Sequence, residues 1–250
     1  MKRFLTILLL AVAICAAGKD TGALKSRADS LYARHQWTEA AEAYRALLKS
    51  DPYNADLHYN YGNACYRLKD IPRAILAYER AARLNPSDGD CRHNLTLARA
   101  QTQDKFYSAS DLDIAWSFLS VVNTFGADGW GWLSLVALAL CLAALLAVRL
   151  SRSVGLRRAA RTLVVVSVLC IIVFNIFALI QRRKFTDHSS AIVMRTTRLM
   201  STPDTTGTNL FTLHGGTKLS LTDTTLPLWS EVSLSDGQRG WVTNTDIERI

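Results

Sequence analysis

Hydrophobic positions along the chain fall into four regimes. Residues 4–17 are almost continuously apolar. Residues 19–106 show the spaced apolar positions of amphipathic helices. Residues 130–181 carry two long uncharged runs, and residues 189–250 break into short β-rich stretches divided by turn residues. The helical region repeats. Ala28 and Gly62, Ala40 and Ala74, Tyr44 and Tyr78, and Pro52 and Pro86 are each 34 positions apart. Small residues at the first two pairs let helices approach closely, tyrosines fill the space between hairpins, and proline ends the second helix of each unit because it cannot continue it. The segment after Asp90 reads as a further first helix that caps the stack, since each unit buries its apolar face only against neighbours.

Charge places the apolar runs. The chain has 250 residues and a formal net charge of +8. Residues 116–184 alone hold eight basic groups against one acid, Asp128, whereas residues 19–115 balance 14 basic against 13 acidic groups. Neither polar region has the basic face that nucleic-acid binding needs, so no nucleic-acid partner is expected. Lys2 and Arg3 ahead of a short apolar stretch, followed by Ala16, Ala17 and Gly18, fit a signal peptide over residues 1–18. Cys15 raises lipidation as an alternative and an uncleaved anchor is another; each exports the repeat region.

The runs at 130–148 and 162–181 are long enough to cross a bilayer as helices. The segment 149–161 between them carries Arg149, Arg152, Arg157, Arg158 and Arg161 and no acid, which places it in the cytoplasm by the positive-inside rule. Arg182, Arg183 and Lys184 oppose this, and the export signal decides. Residues 107–129 read as an amphipathic helix on the membrane surface, with Trp130 and Trp132 at its end, and 182–188 as a linker. The expected location is the inner membrane, multi-pass, with both folded ends in the periplasm. Within Trp132–Val148 and Thr162–Ile180, Asn175 is the one strongly polar residue and is expected to form a hydrogen bond within the chain.

The first region resembles the tetratricopeptide repeat, in which each unit is a helix–turn–helix. The resemblance places Lys25, Asp29 and Tyr32 on the inner face of the first unit, Asp56, Tyr59, Asn63 and Tyr66 on that of the second, and Asp90, His93 and Leu97 on the cap. Tyr59, Asn63 and Tyr66 share one helix face. Aromatic rings around an amide suit an extended peptide. A two-lysine carboxylate clamp is not visible.

Residues 189–250 resemble the bacterial SH3-like domain. The opening strand and loop are met by Val193 to Pro203, although Met194 stands before Arg195 where asparagine is usual. Gly216, Thr217, Lys218 and Leu219 begin the next strand, Trp229 to Val232 another, and Asp236, Gly237, Gly240, Trp241 and Val242 complete the pattern with a hairpin turn. The resemblance implies a small barrel that binds a protein or cell-wall peptidoglycan, with Phe211, Trp229 and Trp241 as its candidate contact surface.

The fold class expected is a multidomain membrane protein: all-α repeat hairpins, a two-helix transmembrane hairpin and a small all-β SH3-like barrel. Cys65 and Cys91 read as small buried residues, and the histidines are scattered. With no nucleophile–base set, metal spacing or phosphate loop, neither an enzyme nor a cofactor is expected. The order of parts resembles the BatE family of the Bacteroides aerotolerance operon. That resemblance implies a membrane scaffold working with von Willebrand A-type membrane proteins and a MoxR-type ATPase in stress or oxygen tolerance. A wall-binding envelope sensor is the alternative.

Overall fold

The computed structural model describes residues 22–104, 121–186 and 189–250, with the side chains of 184–186 left out. The expected signal peptide and most of the expected surface helix lie outside the described residues. The described residues form two compact units, one of the helices up to residue 104 together with the C-terminal sheet, and one of the two long apolar helices.

Five helices open the first unit: α1 (22–33), α2 (Trp37–Ser50), α3 (Ala55–Arg67), α4 (Ile71–Leu84) and α5 (Gly89–Ala100). The 34-residue phase recurs in their ends. Asn54 caps α3 by accepting from Leu57 N at 3.1 Å, and Asp88 caps α5 by accepting from Cys91 N at 3.1 Å. At the ends of α1 and α3, His35 and Lys69 take left-handed backbone with φ of 63° and 64°. Gln36 N bonds Leu31 O and Asp70 N bonds Cys65 O, each at 3.0 Å, closing the same αL helix stop in both units. Ala28, Ala40 and Ala74 are fully buried, and a Cβ on Gly62 would meet the Tyr78 ring at 2.7 Å. These are the close approaches that the repeated small residues predict.

Seven strands follow: β1 (Ser190–Val193), β2 (Thr197–Met200), β3 (Asn209–Leu213), β4 (Lys218–Asp223), β5 (Trp229–Ser233), β6 (Arg239–Thr243) and β7 (Ile247–Arg249). They form one antiparallel sheet in the order β3-β2-β6-β5-β4-β1-β7. Val193, Leu199, Leu213, Leu219, Val232, Leu234 and Val242 make its core. The Asp236-Gly237 turn joins β5 to β6 as expected, with Gly237 at φ 89°. Arg195 pairs with Asp246 at 3.0 Å. The sheet is not the closed barrel expected from sequence: β3 and β7 stand at its two ends. The β7 edge meets a helix instead. Arg80 of α4 donates to Glu248 Oε1 at 3.0 Å and to the Arg249 carbonyl at 2.6 Å, covering a backbone acceptor that closure would have used.

The sheet docks on the repeats. Ile192 and Ile250 share a buried cluster with Ile75, Tyr78 and Leu95. Glu79, 8% exposed, is held by Lys218 Nζ at 3.0 Å and by Arg99. Burial raises its pKa, but Lys218 and Arg99 outweigh burial and hold it below the usual carboxylate range. Asp104 accepts from His214 N at 2.7 Å, His214 Nδ1 at 2.7 Å and Thr217 Oγ1 at 2.6 Å. Burial opposes ionisation there too, and these hydrogen bonds prevail. At the β3–β4 turn, a Cβ on Gly215 would meet Pro72 at 2.7 Å and one on Gly216 would meet Thr102 at 2.7 Å.

The second unit contains α6 (Ala127–Leu150) and α7 (Val154–Thr186), each long and apolar enough to cross a membrane. Their large apolar side chains point outward: Leu142, Leu146, Val165 and Leu169 are all more than half exposed. Only 151–153 separates the helices, so Arg157, Arg158 and Arg161 are helical rather than in a loop. Hydropathy ends before the helix does, because arginine and alanine propagate helix well. Trp130 is buried against Phe125, Phe174 and Phe177, and its indole donates to Val122 O at 2.9 Å. Trp132 is exposed. Asn175 donates to Ser134 Oγ at 2.7 Å and to Ile171 O at 2.8 Å, linking α7 to α6.

Candidate peptide groove

The inner face of the repeats holds a cavity of about 350 Å³ lined by Tyr32, Tyr59, Asn63, Tyr66, Arg67, Tyr78, Asn94 and Leu97. Tyr59, Asn63 and Tyr66 lie on one face of α3, as their spacing predicts. Tyr32 from α1 stacks edge-on against Trp37 with centroids 4.7 Å apart, and the Arg67 guanidinium lies over the same Trp37 ring at 5.7 Å. Arg67 is the one cation among the lining residues.

Hydrogen bonds fix the floor. Tyr78, fully buried, donates to Asn63 Oδ1 at 2.7 Å. Asn94 Nδ2 donates to Asn63 Oδ1 at 3.0 Å and to Tyr59 OH at 3.2 Å. Gln101 donates to Tyr66 OH. Burial, then the neighbouring tyrosines, pushes the Tyr78 phenol up, so it remains a neutral donor. Among the described residues, Asn63 Nδ2 and Asn94 Oδ1 have no hydrogen-bond partner. The groove therefore offers one amide donor and one amide acceptor between tyrosine rings. A peptide backbone presents the complementary pair.

Five expected inner-face residues, Lys25, Asp29, Asp56, Asp90 and His93, do not line the cavity. Lys25 pairs with Asp29 at 3.0 Å, and Asp29 Oδ1 accepts from Tyr44 OH at 2.7 Å, so both serve the first hairpin. Asp56 sits in the first turn of α3, where a carboxylate complements the helix dipole. His93 is exposed on α5. The 34-residue phase points to His93, but the neighbouring Asn94 is the residue that reaches back to α3. Sequence reasoning missed Arg67, Tyr78 and Asn94 as lining residues; only Tyr78 carried a signal, through the repeat.

On the sheet, Trp229 opposes Thr243 and Trp241 opposes Glu231 across β5 and β6, so the two rings stand on one diagonal of the face away from the core. Both are partly exposed. Phe211 lies on β3, which β2 separates from β6, so the structure does not bring it beside Trp241. Among the described residues no cluster of three or more His, Cys, Asp or Glu is placed to hold a metal. Burial pushes the Cys65 thiol up to about 11 and the Cys91 thiol up to about 12, which disfavours the reactive thiolate at both.

Among solved structures, the first tetratricopeptide repeat domain of Spaghetti (RPAP3), bound to the HSP90 peptide SRMEEVD, is 28% identical over 32% of this chain, with a TM-score of 0.31. The match spans 64% of that domain's chain. Curated protein sequences give no match. The family model of the tetratricopeptide repeat matches residues 26–89, the helices that build the groove, and this region of the chain carries tetratricopeptide repeats.

Proposed function

We propose that the chain is a non-enzymatic, membrane-held adaptor whose repeat groove grips an extended segment of a protein partner. Tetratricopeptide repeats are a protein-interaction fold. The observation that carries the reading is the groove itself, where Asn63 Nδ2 and Asn94 Oδ1 offer a peptide backbone one donor and one acceptor within an aromatic trough.

The membrane part of the reading is supported by the outward apolar faces of α6 and α7, which water would not favour and lipid would. Packing of the sheet on the repeats adds a topological argument. Residues before α6 and after α7 meet in one buried interface, through Glu79 and Lys218 and through Asp104 and His214. That interface supports a reading in which both lie on one side of the bilayer and the two helices cross it in turn. The export signal and the arginines around Ser151–Ser153 favour the periplasmic side. The resemblance to the BatE family extends the proposal to an aerotolerance or envelope-stress complex with von Willebrand A-type and MoxR-type partners.

A photo-crosslinking residue in place of Tyr59, in the full chain in its membrane, tests the groove. It should capture one discrete protein, and a second change of Tyr66→Ala should abolish the adduct. The same crosslinker in place of Asp56, outside the cavity, is the control. Equal, unspecific adducts from both positions would refute the groove.

A further inference from the structure

Between α6 and α7, the contact of Asn175 with Ser134 leaves two hydrogen-bonding groups without partners among the described residues. Asn175 Nδ2 donates to Ser134 Oγ at 2.7 Å and to Ile171 O at 2.8 Å, so both amide hydrogens are used. A backbone carbonyl only accepts, so Ile171 fixes the amide nitrogen at that corner and turns Oδ1 away from it. Among the described residues no group donates to Asn175 Oδ1. The Ser134 hydroxyl is the converse case. Ser30 and Thr162 donate to carbonyls one turn before them, those of Ser26 and Arg158, at 2.8 and 3.3 Å. Ser134 accepts from Asn175 but donates to none of the described residues. An acceptor and a hydroxyl hydrogen thus stand unused side by side.

Neither group is enclosed by the pair. Asn175 is exposed and Ser134 half-buried. Leu138, one turn after Ser134, and Ile172 and Leu179, one turn to either side of Asn175, are exposed on the same faces. A Cβ on Gly131, one turn before Ser134, would meet nothing within 4 Å, so another helix can approach closely there. The uncharged run 162–181 has its midpoint between 171 and 172, so Asn175 lies only about 5 Å along the helix from it. A hydrocarbon layer reaches about 15 Å to either side of its midplane, which keeps water from both groups. Acyl chains offer neither donor nor acceptor.

The pairing of the two groups says what covers them. A donor and an acceptor within one hydrogen bond of each other sit at about the same depth. A two-fold axis along the bilayer normal then sets the donor of one copy against the acceptor of the other, and the reverse, with the same two residues. An unrelated helix would have to bring its own donor and acceptor to that depth. We infer that a second copy of this chain packs on this face, each copy's Ser134 hydroxyl donating to the other copy's Asn175 Oδ1. The inference rests on the proposed membrane reading. It gives the adaptor two repeat grooves, so a partner that carries the bound segment twice is held by both.

The test uses the full chain in detergent micelles, with its mass read by density-matched sedimentation. The unaltered chain should sediment as a dimer at micromolar concentration. Ser134→Ala and Asn175→Leu should each weaken the dimer at least about fivefold, since either change removes both bonds across the two-fold axis. The two variants mixed should recover dimer, because the Ser134 hydroxyl of the Asn175→Leu chain meets the Asn175 Oδ1 of the Ser134→Ala chain and one bond returns. A purely structural role for either residue predicts no such recovery. A monomeric unaltered chain, a dimer indifferent to both changes, or a mixture no more dimeric than its components would overturn the inference and leave the membrane reading standing. A chain that stays in solution when detergent is removed, and does not enter vesicles of phosphatidylcholine and phosphatidylglycerol, would overturn both.

Discussion

Lys218 Nζ lies 3.0 Å from Glu79 Oε2, an ion pair that ties the first residue of β4 to the middle of α4 across 139 positions of sequence. Arg99 holds the other carboxylate oxygen. Lys218→Met should cost about 2 kcal/mol, the scale of a lost charge-assisted hydrogen bond at a buried carboxylate with one partner remaining. Thermal unfolding of the full chain in detergent reads this. Glu79→Gln in the same background should recover part of the loss, because it removes the buried charge.

Acid should loosen the same interface. Glu79 and Asp104 are both held below their ordinary values of 4.5 and 3.8. A carboxyl lowered in the folded state stabilises fully above its unfolded value, and that contribution is lost as pH falls through the folded one. Stability should therefore be flat from pH 7 to about 5 in this respect and fall below about 4.5. The Glu79→Gln variant should show a shallower fall, measured by chemical unfolding at each pH.

Two glycines with left-handed backbone should differ on substitution. Gly216 at φ 96° also faces Thr102 at 2.7 Å and Ile75 at 3.1 Å, whereas Gly237 at φ 89° faces open space. Gly237→Ala should cost only the backbone strain, about 1 kcal/mol. Gly216→Ala should cost clearly more and detach the sheet from the repeats, visible as new protease sensitivity between them.

The helix stops give a stabilising prediction. His35 and Lys69 are side-chain-bearing residues in the αL position that usually takes glycine. Lys69→Gly should raise stability by about 0.5–1 kcal/mol, and His35→Gly should do the same, measured as midpoint shifts in urea.

The groove floor can be tested by a double substitution. Asn63→Ala leaves the buried Tyr78 hydroxyl without its acceptor and should cost about 1–3 kcal/mol. Adding Tyr78→Phe removes the stranded hydroxyl, so the pair should cost less than the sum of the singles. Additive costs would show that the bond contributes nothing.

The repeat was legible because close packing demands the same small or aromatic residue once per unit: Ala28 and Gly62, Ala40 and Ala74, Tyr44 and Tyr78. The equivalence extends to bonds, since Tyr44 to Asp29 and Tyr78 to Asn63 are the same contact at 2.7 Å in successive units. The union of repeats and sheet was not legible. Glu79 reads locally as a solvent-facing helix charge, and Lys218 and His214 read as polar strand-end residues; only the tertiary contact gives them meaning. Strands β2, β3 and β7 escaped notice because three to five residues with a bulge between Leu199 and Met200 leave little alternation to read. Asn94 escaped because the phase drawn from α3 lands one residue away, on His93.

The proposal's central claim is that repeats and sheet are one body on one side of the membrane. A membrane-impermeant maleimide applied to cells with a permeable outer envelope tests it directly, with single cysteines at Asp56, Gln238 and Arg152 in the chain lacking Cys141 and Cys170. Positions 56 and 238 should label together, and 152 only after the inner membrane is opened. Labelling of 56 without 238, or of 238 without 56, would contradict the account.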